Sequence, residues 1–218
     1  MPIIDDSYWD VGVTVAGSAR PLEYALGAVA GTPSWGSTKF DDNSGKSVMG
    51  RLGFAPSPSL RVGVSGSYGP YLLEKLNPTL PAGKSVNDYN QKLLMADLEV
   101  MVGHAELRAE GARNFWETPT LGELAVNTGY AELKYLFDSG MFLAGRYDMQ
   151  DFGNIQNSAG QSLPWDWNVV RGEGGLGYRI SRDADAKLAY QHSEFDSGVA
   201  GSSKVRRSIF AAQLSIGF

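Results

Sequence analysis

Two short segments of this 218-residue sequence have residue types and spacings that could bind a ligand. The segment "GEGGLG" at 172–177 fits G-x-G-x-x-G, which binds dinucleotides when it lies at a strand-to-helix turn. Here it runs into "YRISRD" with the alternation of a strand, so the sequence predicts a glycine-containing strand. The acidic segment "FDDNSG" at 40–45 lacks the remaining spacing of a calcium-binding EF-hand loop and is interpreted as a turn.

The two histidines, His104 and His192, lie far apart in the sequence, and there is no cysteine. Without paired ligand spacing we expect neither a metal site nor any other cofactor. His192 and Asp196 are the only hint of a hydrolytic cluster, because such a site needs Asp, His or Ser close together.

Charged residues are numerous and follow strand alternation. Acidic and basic side chains alternate along the same strand faces, whereas general acid–base catalysis needs two carboxylates with separated pKa values. Interleaved charges of both signs are more simply the wall of a water-filled lumen, which sets ion selectivity. By strand parity the lumen-facing set is Arg51, Arg61, Asp97, Glu99, Glu106, Arg108, Glu110, Glu132, Lys134, Arg146, Asp148, Arg171, Glu173, Arg179, Lys187 and Arg207. We expect no catalytic residues and no enzyme activity.

Composition narrows the class of protein. A net charge of −5 argues against nucleic-acid binding, which needs a concentrated basic surface. The 27 glycines, with five Trp, ten Tyr and nine Phe, suit closely packed, turning strands. There is no apolar run long enough for a transmembrane helix, and the start has no signal peptide. The chain is therefore either cytosolic or a mature or truncated product that lacks its export signal.

The sequence pattern predicts a repeated order of strand, turn, strand and loop, and it contains no convincing amphipathic helix. Period-two alternation predicts strands at about 8–17, 22–31, 46–55, 60–69, 91–102, 104–116, 124–137, 140–150, 166–180, 185–195 and 205–218. Short connections alternate with long ones, of which the longest are 33–45, 70–90 and 153–165. This alternation predicts an up-and-down antiparallel sheet with short turns at one end, as in bacterial outer-membrane barrels.

Each predicted strand has one apolar and one charged face, which fits two kinds of barrel. A soluble barrel buries the apolar face, and a membrane barrel turns it to lipid. The unequal turns favour the membrane barrel, as do two aromatic girdles, which are expected at its two interfaces. The long-loop girdle comprises Trp9, Tyr68, Phe115, Trp116, Trp165 and Trp167, and the short-turn girdle comprises Tyr24, Phe54, Tyr135, Phe137, Tyr178 and Phe218.

The last strand, "SIFAAQLSIGF", ends on Phe218 with apolar residues at Phe210, Leu214 and Ile216. It resembles the signal by which barrel-assembly machinery recognises its clients. The hairpins at 129–153 and 169–198 are similar to those of porin-like channels, including the phosphate-selective porin-like group. The sequence thus resembles the C-terminal part of a Gram-negative outer-membrane porin.

The expected fold is all-β, a transmembrane up-and-down antiparallel β-barrel with about 11 to 12 visible strands. Because single-chain bacterial barrels normally have an even number, we expect one domain, 1–218, truncated at its N-terminus and part of a larger barrel.

The expected function is passive diffusion of ions and small hydrophilic solutes through a charged lumen in the outer membrane. The resemblance implies outer-membrane lipid, the barrel-assembly machinery and a homotrimer as partners. Two alternatives stay open: a small outer-membrane barrel enzyme, either a protease or a lipid-modifying one, and a structural or adhesive barrel without a pore.

Overall fold

A computed structural model describes residues 10–33, 44–156, 160–199 and 201–217 of the chain. It is built from antiparallel strands: β1 (Gly12–Ala19), β2 (Leu22–Val29), β3 (Ser47–Ser57), β4 (Leu60–Pro70), β5 (Asn90–Val102), β6 (Ala105–Thr118), β7 (Gly122–Leu136), β8 (Met141–Phe152), β9 (Asn154–Gln156), β10 (Ser162–Pro164), β11 (Asn168–Ser181), β12 (Ala184–Asp196) and β13 (Val205–Ile216). Among the described residues, no helical segment is long and apolar enough to cross a bilayer.

Eleven strands form one sheet, in the order β1-β2-β3-β4-β5-β6-β7-β8-β11-β12-β13. Apart from the β9–β10 hairpin, which pairs only with itself, each strand therefore lies beside its neighbours in sequence. All the strands predicted from period-two alternation are present, and the all-β, up-and-down prediction is confirmed. The β9–β10 hairpin was not predicted, because the 153–165 connection carries no long alternating run.

Short turns join the strands at one end of the sheet, and two of them depend on glycine. Gly103 (φ 57°) lies in the turn from β5 to β6, and Gly140 (φ 85°) lies in the turn from β7 to β8. Both are in the left-handed region, which residues with a Cβ adopt at a cost. In the second turn, Gly140 N–H donates to Phe137 O (3.0 Å), and Phe137 N–H donates to Met141 O (2.8 Å).

The chain divides into two compact units, which we describe separately. Unit 1 comprises 1–57, 62–96 and 112–126, and unit 2 comprises 58–61, 97–111 and 127–218. In each unit one side of the sheet is less exposed than the other. We call the less exposed side the enclosed face and the other side the open face.

Unit 1 contains most of the buried apolar side chains of the described residues, including Val86, Leu93, Trp116 and Val126. The long connection after β4 packs here. It contains two short 3-10 helices, Glu74–Thr79 and Val86–Asp88.

One hydrogen bond attaches this connection to β6, and another holds its two helices together. Tyr71 Oη donates to Glu117 O at 2.9 Å, and Val86 N–H donates to Asn77 Oδ1 at 2.9 Å. Leu72 is buried, as its apolar character requires, while Leu73, Leu76 and Leu80 are half-buried. This segment is therefore a packed loop and not a solvated one.

Candidate functional site

The open face of unit 2 is apolar, and its enclosed face is charged. Along β8, Leu143 is 48% exposed on the open face, whereas the neighbouring Arg146 side chain is 35% exposed on the enclosed face. Leu143 aligns with Leu176 on β11, which aligns with Leu188 on β12, so the apolar positions form continuous rows. A soluble β-sheet protein does the reverse and encloses its apolar side chains.

Two rows of polar residues cross the enclosed face of unit 2. In the first row, Arg146 pairs in register with Glu173, and Glu173 pairs with Gln191. In the second row, the register runs Asp148, Arg171, Ser193 and Arg207. In each row a cation is directly opposite an anion on β8 and β11, and the uncharged Gln191 or Ser193 follows on β12, so no two like charges are directly opposite each other.

Arg146 is the most connected of these charges. Its Nη2 lies 2.7 Å from Asp148 Oδ1, its Nη1 lies 3.7 Å from Glu132 Oε2, and its guanidinium lies 3.9 Å above the Tyr130 ring. Contacts with two carboxylates and an aromatic face fix the planar guanidinium in one orientation.

Beside Arg146 the enclosed face forms a recess of about 200 Å³. Lys134, Lys187, Glu132 and Glu173 line it together with Arg146, so charges of both signs line the same recess. Lys187 Nζ lies 3.7 Å from Glu173 Oε1, and Lys134 Nζ lies 4.9 Å from the centre of the Phe142 ring.

Other predicted lumen residues of unit 2 lie on the turn-side half of its strands. Arg108 contacts Glu106 directly and lies 3.6 Å from Glu99 Oε1. Arg179 Nε lies 3.7 Å from Asp185 Oδ1 at the β11–β12 turn. Asp97 and Glu110 are half-buried, and Arg61 is exposed. In unit 1, Arg51 is half-buried on the enclosed face of β3.

Ion pairs also lie on the open face, at the end of each unit that carries the long loops. In unit 2, Glu194 receives Lys204 Nζ at 2.6 Å and Arg206 Nε at 2.9 Å. In unit 1, Lys92 Nζ lies 2.7 Å from Glu117 Oε1. These pairs were not predicted, although the break in the apolar alternation at Glu194 and Arg206 was a signal for the pair in unit 2.

The apolar part of the open face of unit 2 has a definite height. On β8 and β11 it extends from the row that contains Tyr178 to the row that contains Met149 and Val170, which is eight residues along β11, whereas on β12 it ends at Tyr190, before His192. At ~3.3 Å per residue this is about 26 Å along the strand. With a strand tilt of about 40° the band is about 20 Å tall, close to the ~25 Å apolar band of outer-membrane barrels.

The two aromatic girdles are present only in part as predicted. Of the short-turn girdle, Tyr24 and Phe54 in unit 1 and Tyr135, Phe137 and Tyr178 in unit 2 are all exposed.

At the long-loop end Tyr68 and Trp167 are exposed, but the placement of Trp116 in that girdle is wrong. Trp116 is 2% exposed, because it belongs to the enclosed core of unit 1. Phe115 and Trp165 are half-buried, and Trp9 and Phe218 lie outside the described residues.

The last strand, β13, is exposed along its whole length. Phe210, Leu214 and Ile216 lie on its open face, in register with Tyr190, Ala186 and Ala184 of β12. The apolar stripe predicted for the assembly signal is thus continuous with the open face.

The residues considered for catalysis or ligand binding lie apart from one another. "GEGGLG" lies within β11, so its glycines are in a strand, as predicted. His104 is at the β5–β6 turn, with Nδ1 2.8 Å from Leu136 O. His192 Nδ1 lies 3.0 Å from Ser208 Oγ and not beside Asp196, whose Oδ2 lies 3.4 Å from Lys204 Nζ. Most of the "FDDNSG" segment lies outside the described residues.

Comparison with solved structures shows that the chain has the fold of outer-membrane porins. It matches the anion-selective porin from Comamonas acidovorans (8% identity, TM-score 0.59, 92% of this chain and 55% of that chain). It also matches OmpF of Salmonella typhi in complex with daunomycin (12%, TM-score 0.60, 92% and 60%) and OmpT, an outer membrane protein of Vibrio cholerae (12%, TM-score 0.57, 93% and 61%).

This chain therefore spans between about half and two thirds of the length of these proteins. No protein-family model matches the sequence, and no curated protein does so significantly.

Proposed function

We propose that the protein is an outer-membrane porin, a passive diffusion channel for ions and small hydrophilic solutes. One observation carries the proposal: in unit 2 the large apolar side chains are the exposed ones, while charges of both signs occupy the enclosed face. Lipid on the open face and water on the enclosed face satisfy both sets of side chains.

Selectivity in this channel comes from the charged rows of the enclosed face. The recess beside Arg146 carries three cationic and two anionic side chains, and Asp148 adds a third carboxylate next to it. Because the numbers of cationic and anionic side chains are nearly equal, we expect weak ion selectivity. The sign of the preferred ion depends on which of these charges are least screened by water. In unit 1, the packed loop 71–89 narrows the pathway and sets the size limit.

The proposal includes a location and partners. The open face contacts outer-membrane lipid, and the stripe Phe210, Leu214, Ile216 and Phe218 is recognised by the barrel-assembly machinery. A homotrimer is the proposed assembly, and one matched structure is described as the trimer form of Vibrio cholerae OmpT.

Reconstitution into planar lipid bilayers tests the channel directly. The full-length protein, purified from a Gram-negative host that lacks its own porins, should give stepwise, ohmic conductance that rises with salt concentration. Folding is checked first, by the shift in gel mobility between unboiled and boiled samples. Protein that shows this shift and yet never conducts would contradict the channel proposal and favour a barrel without a pore.

A second candidate function rests on one hydrogen bond. Ser208 Oγ lies 3.0 Å from His192 Nδ1 on the open face, and Tyr190 Oη lies 3.0 Å from the same oxygen. A serine with a histidine base is the start of a hydrolase site, and here it would face lipid. Labelling with a fluorophosphonate probe decides the matter: labelling that Ser208→Ala abolishes would support a lipid esterase, and no labelling would remove this candidate.

A further inference from the structure

The recess of about 200 Å³ on the enclosed face of unit 2 has a floor of small residues. Ala144 pairs in register with Gly175, and Gly175 pairs with Ala189, so this row offers only backbone and methyl groups. The next row toward the long loops contains Arg146 and Glu173. Long charged side chains beside a low floor leave a volume that a small solute can occupy.

The next row toward the short turns supplies the opposite wall of the recess. Phe142 pairs with Gly177, and Gly177 pairs with Lys187. A Cβ at Gly177 would collide with the Phe142 ring, so this ring lies against the backbone of Gly177. Lys134 Nζ lies 4.9 Å from the centre of the same ring. The wall therefore combines an aromatic ring with the side chains of two lysines.

The charges that line the recess balance to zero once the tightest ion pair is set aside. Arg146 Nε and Nη2 donate to Asp148 Oδ1 at 2.9 and 2.7 Å, so this pair is closed and neutral. The other charges of the lining are two ammonium groups and two carboxylates, namely those of Lys134, Lys187, Glu132 and Glu173.

These four groups are only loosely paired within the protein. Lys187 Nζ lies 3.7 Å from Glu173 Oε1, and Arg146 Nη1 lies 3.7 Å from Glu132 Oε2, so both pairs are beyond hydrogen-bond distance. Lys134 forms no ion pair with any residue that the structure describes, and its ammonium rests on an aromatic ring. Each group therefore has donors or acceptors left for a solute.

The charge balance indicates the charge of a solute that fits. An anion would be repelled by the two carboxylates, and a cation would be repelled by the two ammonium groups. A zwitterion avoids both costs, because each of its charged groups can form charge-assisted hydrogen bonds with side chains of the opposite sign.

The volume of the recess limits the size of the solute. A dry cavity of about 150 Å³ accepts benzene, so a recess of about 200 Å³ accepts a molecule slightly larger than benzene. The α-amino acids with short side chains, such as alanine, serine and valine, have this size and carry one ammonium and one carboxylate on neighbouring atoms of a short skeleton.

We propose that this recess is a binding site for small zwitterionic α-amino acids, whose carboxylate is bound by Lys134 and Lys187 and whose ammonium is bound by Glu132 and Glu173. The site deepens the channel function and rests on it in one respect, namely that solute reaches the enclosed face of unit 2 from water. Binding in the millimolar range suits such a site, because a channel solute must leave as readily as it enters.

Four solutes of nearly equal size test the proposal by separating charge from volume. At about pH 6, where α-amino groups keep their proton and carboxylates are ionised, alanine is a zwitterion, alaninamide a cation, lactate an anion and lactamide neutral. The full-length protein is placed in lipid nanodiscs, and saturation-transfer difference NMR measures the binding of each solute. We expect saturable binding of alanine.

Alaninamide and lactate should each bind about fivefold more weakly than alanine, because each loses one charge interaction at ~4 Å in water. Lactamide loses both interactions and should bind more weakly still. Equal binding of all four solutes, or no saturable binding of alanine, would overturn the site.

Two substitutions of opposite sign should change the preferred solute in opposite directions. Lys134→Gln should weaken alanine binding about fivefold and favour alaninamide over lactate, whereas Glu132→Gln should weaken it equally and favour lactate over alaninamide. A general loss of structure would not reverse the preference. Lys204→Gln, which removes the same charge from the open face, is the matched control and should bind alanine normally.

Ala144→Leu tests the volume without changing any charge. The added atoms occupy the space above the floor, so alanine binding should weaken at least about tenfold. Folding of each variant is checked by the shift in gel mobility between unboiled and boiled samples. If Ala144→Leu does not fold, the two charge substitutions still decide the proposal.

Conductance of the same preparations separates this proposal from the channel itself. Conducting protein that does not prefer alanine over lactate and alaninamide would overturn the binding site and leave the channel standing. Selective binding of alanine without conductance would support the site and count against the channel. Equal binding of alanine by Lys134→Gln and Lys204→Gln would also overturn the site.

Discussion

The open face of unit 2 can be tested with two arginine substitutions at neighbouring positions of β12. Leu188 is on the open face and Ala189 is on the enclosed face, at the same height in the sheet. The middle of the apolar band is the row of Gly174 and Tyr190, and Leu188 is two residues below it, or about 5 Å along the barrel axis.

An arginine that faces lipid costs roughly 2–4 kcal/mol at the bilayer midplane and about 0–1 kcal/mol near the interfaces. At the height of Leu188 we therefore expect Leu188→Arg to lower the free energy of unfolding by about 2 kcal/mol, or a factor of about 30 in the folded-to-unfolded ratio. Ala189→Arg places the same charge in water beside Glu173 and Lys187 and should change the free energy by less than about 0.5 kcal/mol.

Both free energies are measured by equilibrium denaturant titration of the protein in lipid vesicles, followed by tryptophan fluorescence and by gel mobility without boiling. The two probes must coincide, since the comparison assumes two states. The reasoning is refuted if Leu188→Arg is as stable as wild type while Ala189→Arg loses 2 kcal/mol or more. That result would mean that the open face is in water and the enclosed face is a dry core.

Three further results are expected. Arg146→Gln leaves two carboxylates without their cation and should shift the ratio of anion to cation permeability toward cations by about fivefold. The ratio is measured as a reversal potential in a salt gradient. Arg206→Gln, on the open face, is the control and should leave the ratio unchanged. Hydrogen bonds from Ser85 lower the pKa of Asp88, so the charged carboxylate stabilises its loop above about pH 4. In the wild-type protein, protection of the loop from protease should therefore decrease when the pH is lowered below about 4. In Asp88→Asn, protection should be independent of pH. Burial, and to a smaller extent the charge of Glu117, raises the pKa of Tyr71 to about 12. In an ultraviolet titration, Tyr71→Phe should therefore remove a phenol that ionises well above the ordinary tyrosine pKa of about 10.

Period-two alternation was sufficient to predict the sheet strands, because each of them has one predominantly apolar face. It could not determine which face is enclosed, since a soluble barrel and a membrane barrel have the same alternation. That choice depends on tertiary packing, and the structure shows it in the exposure of Leu143 against Arg146. Strand parity did place the charged residues of the first row, Arg146 and Glu173, on a common face.

The features that sequence reasoning missed arise from contacts between distant residues. Trp116 looked like an interfacial aromatic at a strand end, but it is buried in unit 1. The β9–β10 hairpin has only three residues in each strand, too few for a periodic signal. The bond between Ser208 and His192 joins two strands, and nothing in either segment alone indicates it.

The height of the apolar band has a consequence for the surrounding membrane. A band of about 20 Å is shorter than the ~30 Å hydrocarbon core of an average bilayer, and bacterial outer membranes are themselves thinner than average. In the proposed channel, lipids in contact with this face of unit 2 would compress or tilt to match the band. The open face of β8, β11 and β12 would then be a place where the membrane is locally thin, and short-chain lipids should collect around it.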